Sequence, residues 1–480
     1  MPGLSTPLPL QPQHAKATGW LLYRDVLRSP KYVVAPMVDQ SELAWRVLSR
    51  RYGAQLIYTP MINAKIFMAP SKASHRDAFF DIPSGEEGSP SLDRPLVVQF
   101  CGNDPETLLQ AAKVVEDHCD AIDINLGCPQ DIAKRGKYGS FLMEDWDLIY
   151  KLVNILHVNL KIPVTAKFRV FPTVEKTVAY AKMLESAGAQ ILTCHSRLRE
   201  QRGQRTGLAD WEKIRAVKEA VSVPVFANGN ILFHSDIERC LVQTGADALM
   251  SAEGQLYNPA LFVPSASSSA STSSPSAAAA ASPPLSYIPS HDITSSSQQT
   301  DVHAIALSGS YPPHADLALE YLAIARSLKT TTALSAVKGH LFKLMRPALT
   351  RETDLRDRLG RVRSESRNTR EGWEEVIGKY EEICAEMKTR MEVPASEAPS
   401  TLTEQITIEP VTGLPLIPHW LAQPYFRPLP IDDKYKGKVS KIAVKESLEV
   451  DVFVGKAEVV TPPVQGEAAL GELTQRAELK

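Results

Sequence analysis

The sequence predicts an α/β protein, a closed (β/α)8 barrel followed by a small all-helical domain. Three observations carry this. Eight short apolar runs recur between residues 31 and 262, helical patterns alternate with them, and helical spacing alone continues over 314–391. The runs are YVVAPMV (32–38), QLIYTPM (55–61), LVVQFCG (96–102), AIDINLG (121–127), VTAKFRV (164–170), QILTCHS (190–196), VPVFANG (223–229) and ADALMSAE (246–253). Strands this apolar, alternating with helices, make a parallel sheet covered by those helices. Eight units favour closure into a TIM barrel over the competing open, doubly wound sheet, and in such a barrel the active site forms where the strands end.

The helices are marked by their ends. SELAWRVLSRRYG (41–53) has apolar residues at helical spacing and stops at Gly53. PETLLQAAKVVEDH (105–118) is preceded by Asp104 and opens on Pro105, an N-cap followed by proline at the first helical position. TVEKTVAYAKMLESAG (173–188) starts at Thr173 and ends at Gly188. Beyond the barrel, ADLALEYLAIARSL, TTALSAVKGHLFKLMRPAL and EGWEEVIGKYEEICAEMKTRM repeat apolar residues every three or four positions, and Pro347 ends the second. The expected organisation is a flexible arm over 1–30, the catalytic barrel over 31–263, a disordered Ser/Ala/Pro-rich insertion over 264–312, a helical domain over 313–391 and a largely irregular tail over 392–480.

Composition narrows the function classes. The chain has 480 residues, 44% hydrophobic and 22% charged, as a globular protein has. No apolar run approaches the ~18 residues of a membrane span, and the Pro-rich start is not a secretory signal. Six scattered cysteines form no CxxC pair, which argues against a zinc or iron–sulfur site and for a reducing compartment. No metal, no membrane contact and a monomer are expected, in the cytoplasm, the nucleus or both. The net charge of −2 hides a segregation: residues 326–370 hold twelve Lys/Arg against four Asp/Glu. Such a block suggests an anionic partner, although a solvated helix face also accounts for it.

Chemistry-bearing residues sit at the strand ends. Cys128 follows the fourth strand on a loop opened by Gly127 and turned by Pro129, with Lys134, Arg135, Lys137 and Tyr138 close behind. A lone cysteine is more often an inert apolar residue, but this loop position favours chemistry. Lys167 interrupts an apolar strand, where a charge is rarely buried unpaired; a strand-end lysine reaching solvent is the plain alternative. His195 ends the sixth strand beside Arg197, Arg199 and Arg202, or is a satisfied core histidine. NGN (228–230) and AEG (252–254) close strands seven and eight, where barrels often hold phosphate. GxGxxG, P-loop and HExxH motifs are missing.

With these residues placed, the sequence resembles the tRNA-dihydrouridine synthases. The resemblance is carried by APMVD (35–39), VVQFCGNDP (97–105), DINLGCPQ (123–130), AKFRV (166–170), HSRLREQRG (195–203), FANGNI (226–231) and SAEGQLYNPALF (251–262), and continues into DLALEYL and VKGHLFKLMRPAL. KRGKYGSFLMEDWDLI (134–149) and the SAEG turn resemble the eukaryotic branch that reduces uridines 16 and 17 of the tRNA D-loop. The resemblance implies FMN as cofactor, NADPH or NADH as reductant, and tRNA as partner of the helical domain. It implies that Pro36, Met37 and Val38 line the flavin, that Gln99 hydrogen-bonds it, and that Lys167 and His195 lie beside it. Asn228, Gly229, Asn230, Ala252, Glu253 and Gly254 match the phosphate-binding positions, and Asn125, Arg169 and Arg197 meet the target nucleotide. A hydride from flavin N5 reaches C6 of uridine, and Cys128 gives the proton to C5, with Lys167 stabilising the reduced cofactor. Two departures stand out: Ser196 where the family usually has Gly, and Leu198 where it usually has Thr.

Two rival readings remain. A flavin-barrel dehydrogenase of a free pyrimidine would not need the basic helical appendage. A non-catalytic tRNA-binding module would not need both Cys128 and Lys167.

Overall fold

The computed structural model describes residues 13–69, 76–203, 206–265, 302–364, 369–392, 401–410 and 412–426. Eight parallel strands close on themselves: β1 (Tyr32–Val34), β2 (Leu56–Tyr58), β3 (Leu96–Cys101), β4 (Ala121–Leu126), β5 (Val164–Arg169), β6 (Leu192–His195), β7 (Val225–Asn228) and β8 (Ala248–Ser251). Each pairs with the next in chain order, and β8 returns to β1, pairing Val33 with Met250. The register sets Asn125 beside Lys167 and His195 beside Asn228.

Side chains alternate across the barrel wall, as strand geometry requires. Outward-facing Val98, Phe100, Ile122, Ile124, Ala166, Phe168 and Cys194 join one core with the surrounding helices. Those helices are α1 (Leu43–Arg51), α2 (Pro105–Val115), α3 (Trp146–Asn159), α4 (Val174–Ser186), α5 (Trp211–Ala220), α6 (Ser235–Thr244) and the short α7 (Glu253–Tyr257). Their starts follow the sequence signals. Asp104 accepts from the Thr107 N–H at 2.9 Å ahead of α2, and Thr173 from the Lys176 N–H at 3.2 Å ahead of α4. The opposite parity carries Gln99, Asp123, Asn125, Lys167, Arg169, His195 and Asn228, the polar members of otherwise apolar strands.

The N-terminal arm departs from expectation. Residues 19–26 are helical, and Leu22, Tyr23 and Leu27 pack against Leu56, Val97, Ala121, Phe226 and Ala248, which lie at strand starts. The Tyr23 hydroxyl donates to the Asp247 carbonyl at 2.8 Å. The segment is therefore a plug at the end of the barrel opposite the strand ends. Its Pro-rich neighbourhood hides three apolar residues with a buried destination. Residues 1–12 lie outside the described residues.

The expected insertion is also shorter at its far end. Helix Val302–Leu307 is formed, Ala306 packs with Ile406 and Ile417, and Gly309 bridges to Pro264. The Ser265 N–H donates to the Ser308 carbonyl at 3.0 Å, so the chain returns beside the point where it left. Residues 266–301, which hold the Ser/Ala run, lie outside the described residues.

The helical domain comprises α8 (His314–Ser327), α9 (Leu334–Leu344), α10 (Thr353–Arg361) and α11 (Arg370–Met391). Leu317, Tyr321, Leu341, Leu355, Trp373, Ile377, Tyr380 and Cys384 share a core with Trp45 and Leu48 of α1, which docks the domain on the barrel. Of the tail, 401–410 and 412–426 carry a helical turn and a two-stranded pairing. Tyr425 reaches back to Tyr257 (5.3 Å) and under Arg346 (3.9 Å). Among the described residues no helix is long and apolar enough to cross a membrane, and no group of three or more His, Cys, Asp or Glu could hold a metal ion.

Candidate functional site

The inward-facing polar residues collect at the carboxyl ends of the strands. Cys128 follows β4 on a loop fixed at both its backbone groups. Its N–H donates to Asn125 Oδ1 at 2.9 Å, and its carbonyl accepts from the Ser140 N–H (3.1 Å) and hydroxyl (2.9 Å). Gly139 has φ +64°, and a Cβ there would stand 2.8 Å from the Cys128 carbonyl oxygen. Glycine is required for that close approach. The half-buried thiol is pushed up by burial, against the pull of the Gln130 N–H, Arg169 and Lys167. It holds its proton at neutral pH.

Lys167 is 9% exposed and donates to Asn228 Oδ1 at 2.9 Å. Burial first, then Arg169, bring its ammonium down to about 8, with Asp123 opposing. Asn228 uses its other end on the Met250 carbonyl at 2.8 Å, so it aims the lysine and is itself held. His195 is driven well below the usual imidazole range by burial, Lys167, Arg169 and Arg197. It is neutral, and its Nε2 faces the Arg197 guanidinium at 3.2 Å. A guanidinium only donates, so Nε2 accepts and the proton sits on Nδ1.

Arg197 also donates to Asn230 Oδ1 at 2.7 Å and the Gly207 carbonyl at 3.1 Å. Asn230, at φ +62°, further pairs with the Ala209 backbone. Gly229 has φ +125°, and a Cβ there would stand 2.6 Å from the Ala209 Cβ. A Cβ at Gly254 would collide with the Ile231 carbonyl. Beside these glycines lie Ala252 and Glu253, both half-buried. Arg169 donates to the carbonyls of Gly127 (2.8 Å), Leu198 (2.7 Å) and Gln201 (3.1 Å). Its guanidinium, through Nε and Nη1, ties the Cys128 loop to the loop after β6. Pro36 and Met37 are half-buried on the turn after β1, and Val38 is 58% exposed.

Several members were not foreseen. Asp123 is fully buried, accepting from the Thr165 hydroxyl (2.6 Å) and from Gln99 Nε2 (2.8 Å). Its carboxyl is raised to about 6 by burial, against those two hydrogen bonds and Lys167. The signal was the one used for Lys167, a charge in an apolar strand. Ser140 and Gly139 carried no such signal, because their role is contact with a loop eleven or twelve positions earlier. Gln40 and Glu42, on the turn after β1, are reached by the helical domain: Lys343 donates to Gln40 Oε1 at 2.7 Å, Tyr321 to Glu42 Oε1 at 2.6 Å, and His340 Nε2 meets Glu42 Oε2 at 3.1 Å.

The donor set suits an anionic, polar group. A buried ammonium uses one of its three protons on Asn228. The buried hydroxyls of Ser196 and Ser251, at or next to the carboxyl ends of β6 and β8, have no hydrogen-bond partner among the described residues. Buried polar groups are ordinarily satisfied, so these await one.

Known proteins share this arrangement of sequence. The family model described as Dihydrouridine synthase (Dus) matches residues 33–298. The tRNA-dihydrouridine(16/17) synthase of Saccharomyces cerevisiae, whose name carries NAD(P)(+), is 45% identical over 86% of this chain and 87% of its own length. Its namesake in Schizosaccharomyces pombe is 41% identical over 87% of this chain and 93% of its own. A human tRNA-dihydrouridine(20a/20b) synthase-like protein is 38% identical over 48% of this chain and 70% of its own.

Proposed function

Because the chain belongs to the dihydrouridine synthase family, we propose that it reduces the C5=C6 bond of uridines 16 and 17 in the tRNA D-loop, with FMN as cofactor and NADPH or NADH as reductant. The relatives named for positions 16 and 17 align over more than four-fifths of the chain, well beyond the barrel, whereas the relative named for 20a and 20b aligns over about half.

The residues fit FMN. Lys167 and neutral His195 would lie at its polar edge, Gln99 would offer it an amide, and Pro36, Met37 and Val38 would cover it. The backbone of Gly229 and Asn230, with Ala252, Glu253 and Gly254, would hold its phosphate. The chemistry that bound, reduced FMN would supply here is a hydride for C6 of the base. Lys167 keeps a fixed positive charge where negative charge gathers, without reorganising. Cys128 holds the proton that C5 needs. A free thiol has a pKa of about 8.5, and burial raises this one further, so it serves as an acid. Asn125, whose Nδ2 uses one proton on Gln99, has a second to offer the base. A uridine stacked in folded tRNA must be extruded to reach this mouth, and cations outside it hold the phosphates. The protein acts as a monomer within the cell, in the cytoplasm, the nucleus or both.

The observation that carries this reading is a protonated thiol and a buried ammonium at adjacent strand ends, each within electrostatic reach of the other. The test is to incubate FMN-loaded protein and NADPH with unmodified tRNA, free uridine or orotate, then map dihydrouridine. Product confined to positions 16 and 17 of tRNA is expected. Reduction of the free pyrimidine with none of tRNA would overturn it.

A further inference from the structure

One hydrogen-bonded chain runs from the barrel interior to the Cys128 backbone. Thr165 and Gln99 donate to the two oxygens of Asp123; Asn125 Nδ2 donates to Gln99 Oε1 at 2.8 Å; Asn125 Oδ1 accepts from the N–H groups of Gly127 (3.1 Å) and Cys128 (2.9 Å). Resting on the function proposed above, we propose that Asp123 is a positioning residue, the anchor that fixes the Gln99 and Asn125 amides and, through them, the loop bearing the catalytic thiol.

The argument is one of polarity. An ionised carboxylate only accepts, and a backbone N–H only donates. An amide can present either end with almost the same shape. Here the two amides lie between a fixed acceptor and fixed donors, so only one orientation of each satisfies the chain. Gln99 turns its N–H to Asp123 and its carbonyl to Asn125. Asn125 turns its carbonyl to the Cys128 loop. Each amide then has one N–H left over as a donor, that of Asn125 on a part-exposed side chain. That suits a base carbonyl on which negative charge develops.

Asp123 does not touch the thiol, and it is fully buried. Lys167 of β5 and Tyr58 of β2 are its charged and titratable neighbours, and the chain places Thr165 and Gln99 directly on it. Burial opposes its charge, so the site carries a carboxylate at the expense of stability. Replacing it by leucine leaves the buried Thr165 hydroxyl and Gln99 amide without their acceptor, at a cost of about 1–3 kcal/mol each. Some loss of stability is therefore expected on either role, but only a positioning aspartate loosens the Cys128 loop while the rest of the fold stays closed.

The experiment compares wild type with Asp123→Leu and Asp123→Asn, by thermal melting and by iodoacetamide labelling resolved by mass spectrometry. Cys128 is half-buried and the other five cysteines are buried, so labelling reports its loop. Exchanging a charge-assisted anchor for a neutral one weakens it by about 1 kcal/mol, several-fold in the loop's opening equilibrium, and removing it weakens it further. Cys128 labelling is expected to quicken several-fold in Asp123→Asn and more in Asp123→Leu, at temperatures well below each variant's melting midpoint and with the buried cysteines still protected. Labelling within twofold of wild type overturns the proposal, as does labelling that spreads to all six cysteines. If the leucine variant does not fold, the asparagine variant decides alone. Labelling needs neither tRNA nor reductant. A wild-type protein that fails to reduce tRNA would sink the functional reading and leave this result standing.

Discussion

FMN binding should draw a proton onto Lys167. In the cofactor-free protein its ammonium titrates at about 8, brought down from 10.5 by burial and by Arg169. At pH 8 it is therefore about half protonated. An anionic ligand beside it favours the charged form and lifts the pKa, so each FMN bound at pH 8 should take up about half a proton. The uptake should approach one at pH 9 and vanish near pH 6.5, where the lysine is already charged. Neighbouring groups stay silent at pH 8: Asp123, at about 6, is ionised; Arg169, at about 10, is protonated; His195 is neutral; Cys128 keeps its proton. Lys16 is also lowered to about 8, but it binds the Leu160 carbonyl after α3, just ahead of the start of β5 and away from the strand ends. Titration calorimetry in buffers of differing ionisation enthalpy counts the protons directly, and Lys167→Met should abolish the uptake. The same depression costs the apoprotein about 3 kcal/mol below pH 8. Its folded pKa lies below the unfolded one, so stability from this group is full above 10.5 and is lost as pH falls through 8. Uptake under a tenth of a proton at pH 8, or uptake that persists in Lys167→Met, would refute the reasoning.

Three other outcomes are expected. Cys128→Ala should keep FMN and tRNA affinity while slowing tRNA-dependent reoxidation of the reduced enzyme by about 10²–10⁴, the usual contribution of a general acid; turnover near wild type would remove the assignment. Gly229→Ala places a Cβ 2.6 Å from that of Ala209 at φ +125°, so FMN retention, read by flavin absorbance after gel filtration, should fall while the fold survives. Arg46 is fully buried between Glu87 (3.0 Å) and Asp93 (2.8 Å), and Arg46→Met should cost about 3–5 kcal/mol in urea unfolding by leaving carboxylates uncompensated.

The barrel was legible because its signal is periodic. Each strand is an apolar run with polar residues on one parity, and each helix begins or ends on a residue whose backbone role is local. The plug at 19–27 and the helix at 302–307 were not legible, because each is short and is stabilised by partners far away in the sequence. Leu22 has no neighbour in sequence that announces Phe226, and Ala306 none that announces Ile406 and Ile417. The site divides the same way. Cys128, Lys167, His195 and Asn228 stand at strand ends and could be read from position. Ser140 and Arg169 act by closing loops on one another, so the roles they take in the structure follow from tertiary contact alone.

The basic block shows how a local count misleads. Its twelve cations end at Arg370, where the glutamate-rich helix α11 begins. Arg326 pairs with Glu374 and Glu381, Arg358 with Glu386, and Arg370 with Glu374. Lys338 is bound to the Gly360 carbonyl, Lys343 to Gln40, and Arg346 lies over Tyr425. Much of the charge read as a grip on RNA therefore holds the helical domain to itself, to the tail and to the barrel. By contrast Lys134, Arg135 and Lys137 are exposed and form no ion pair among the described residues. They lie between Cys128 and the Gly139–Ser140 turn that fixes its carbonyl. A phosphate drawn to these cations would press on the segment that sets the thiol. Binding energy from the tRNA backbone would then be available for placing the acid over the base, which a free pyrimidine could not supply.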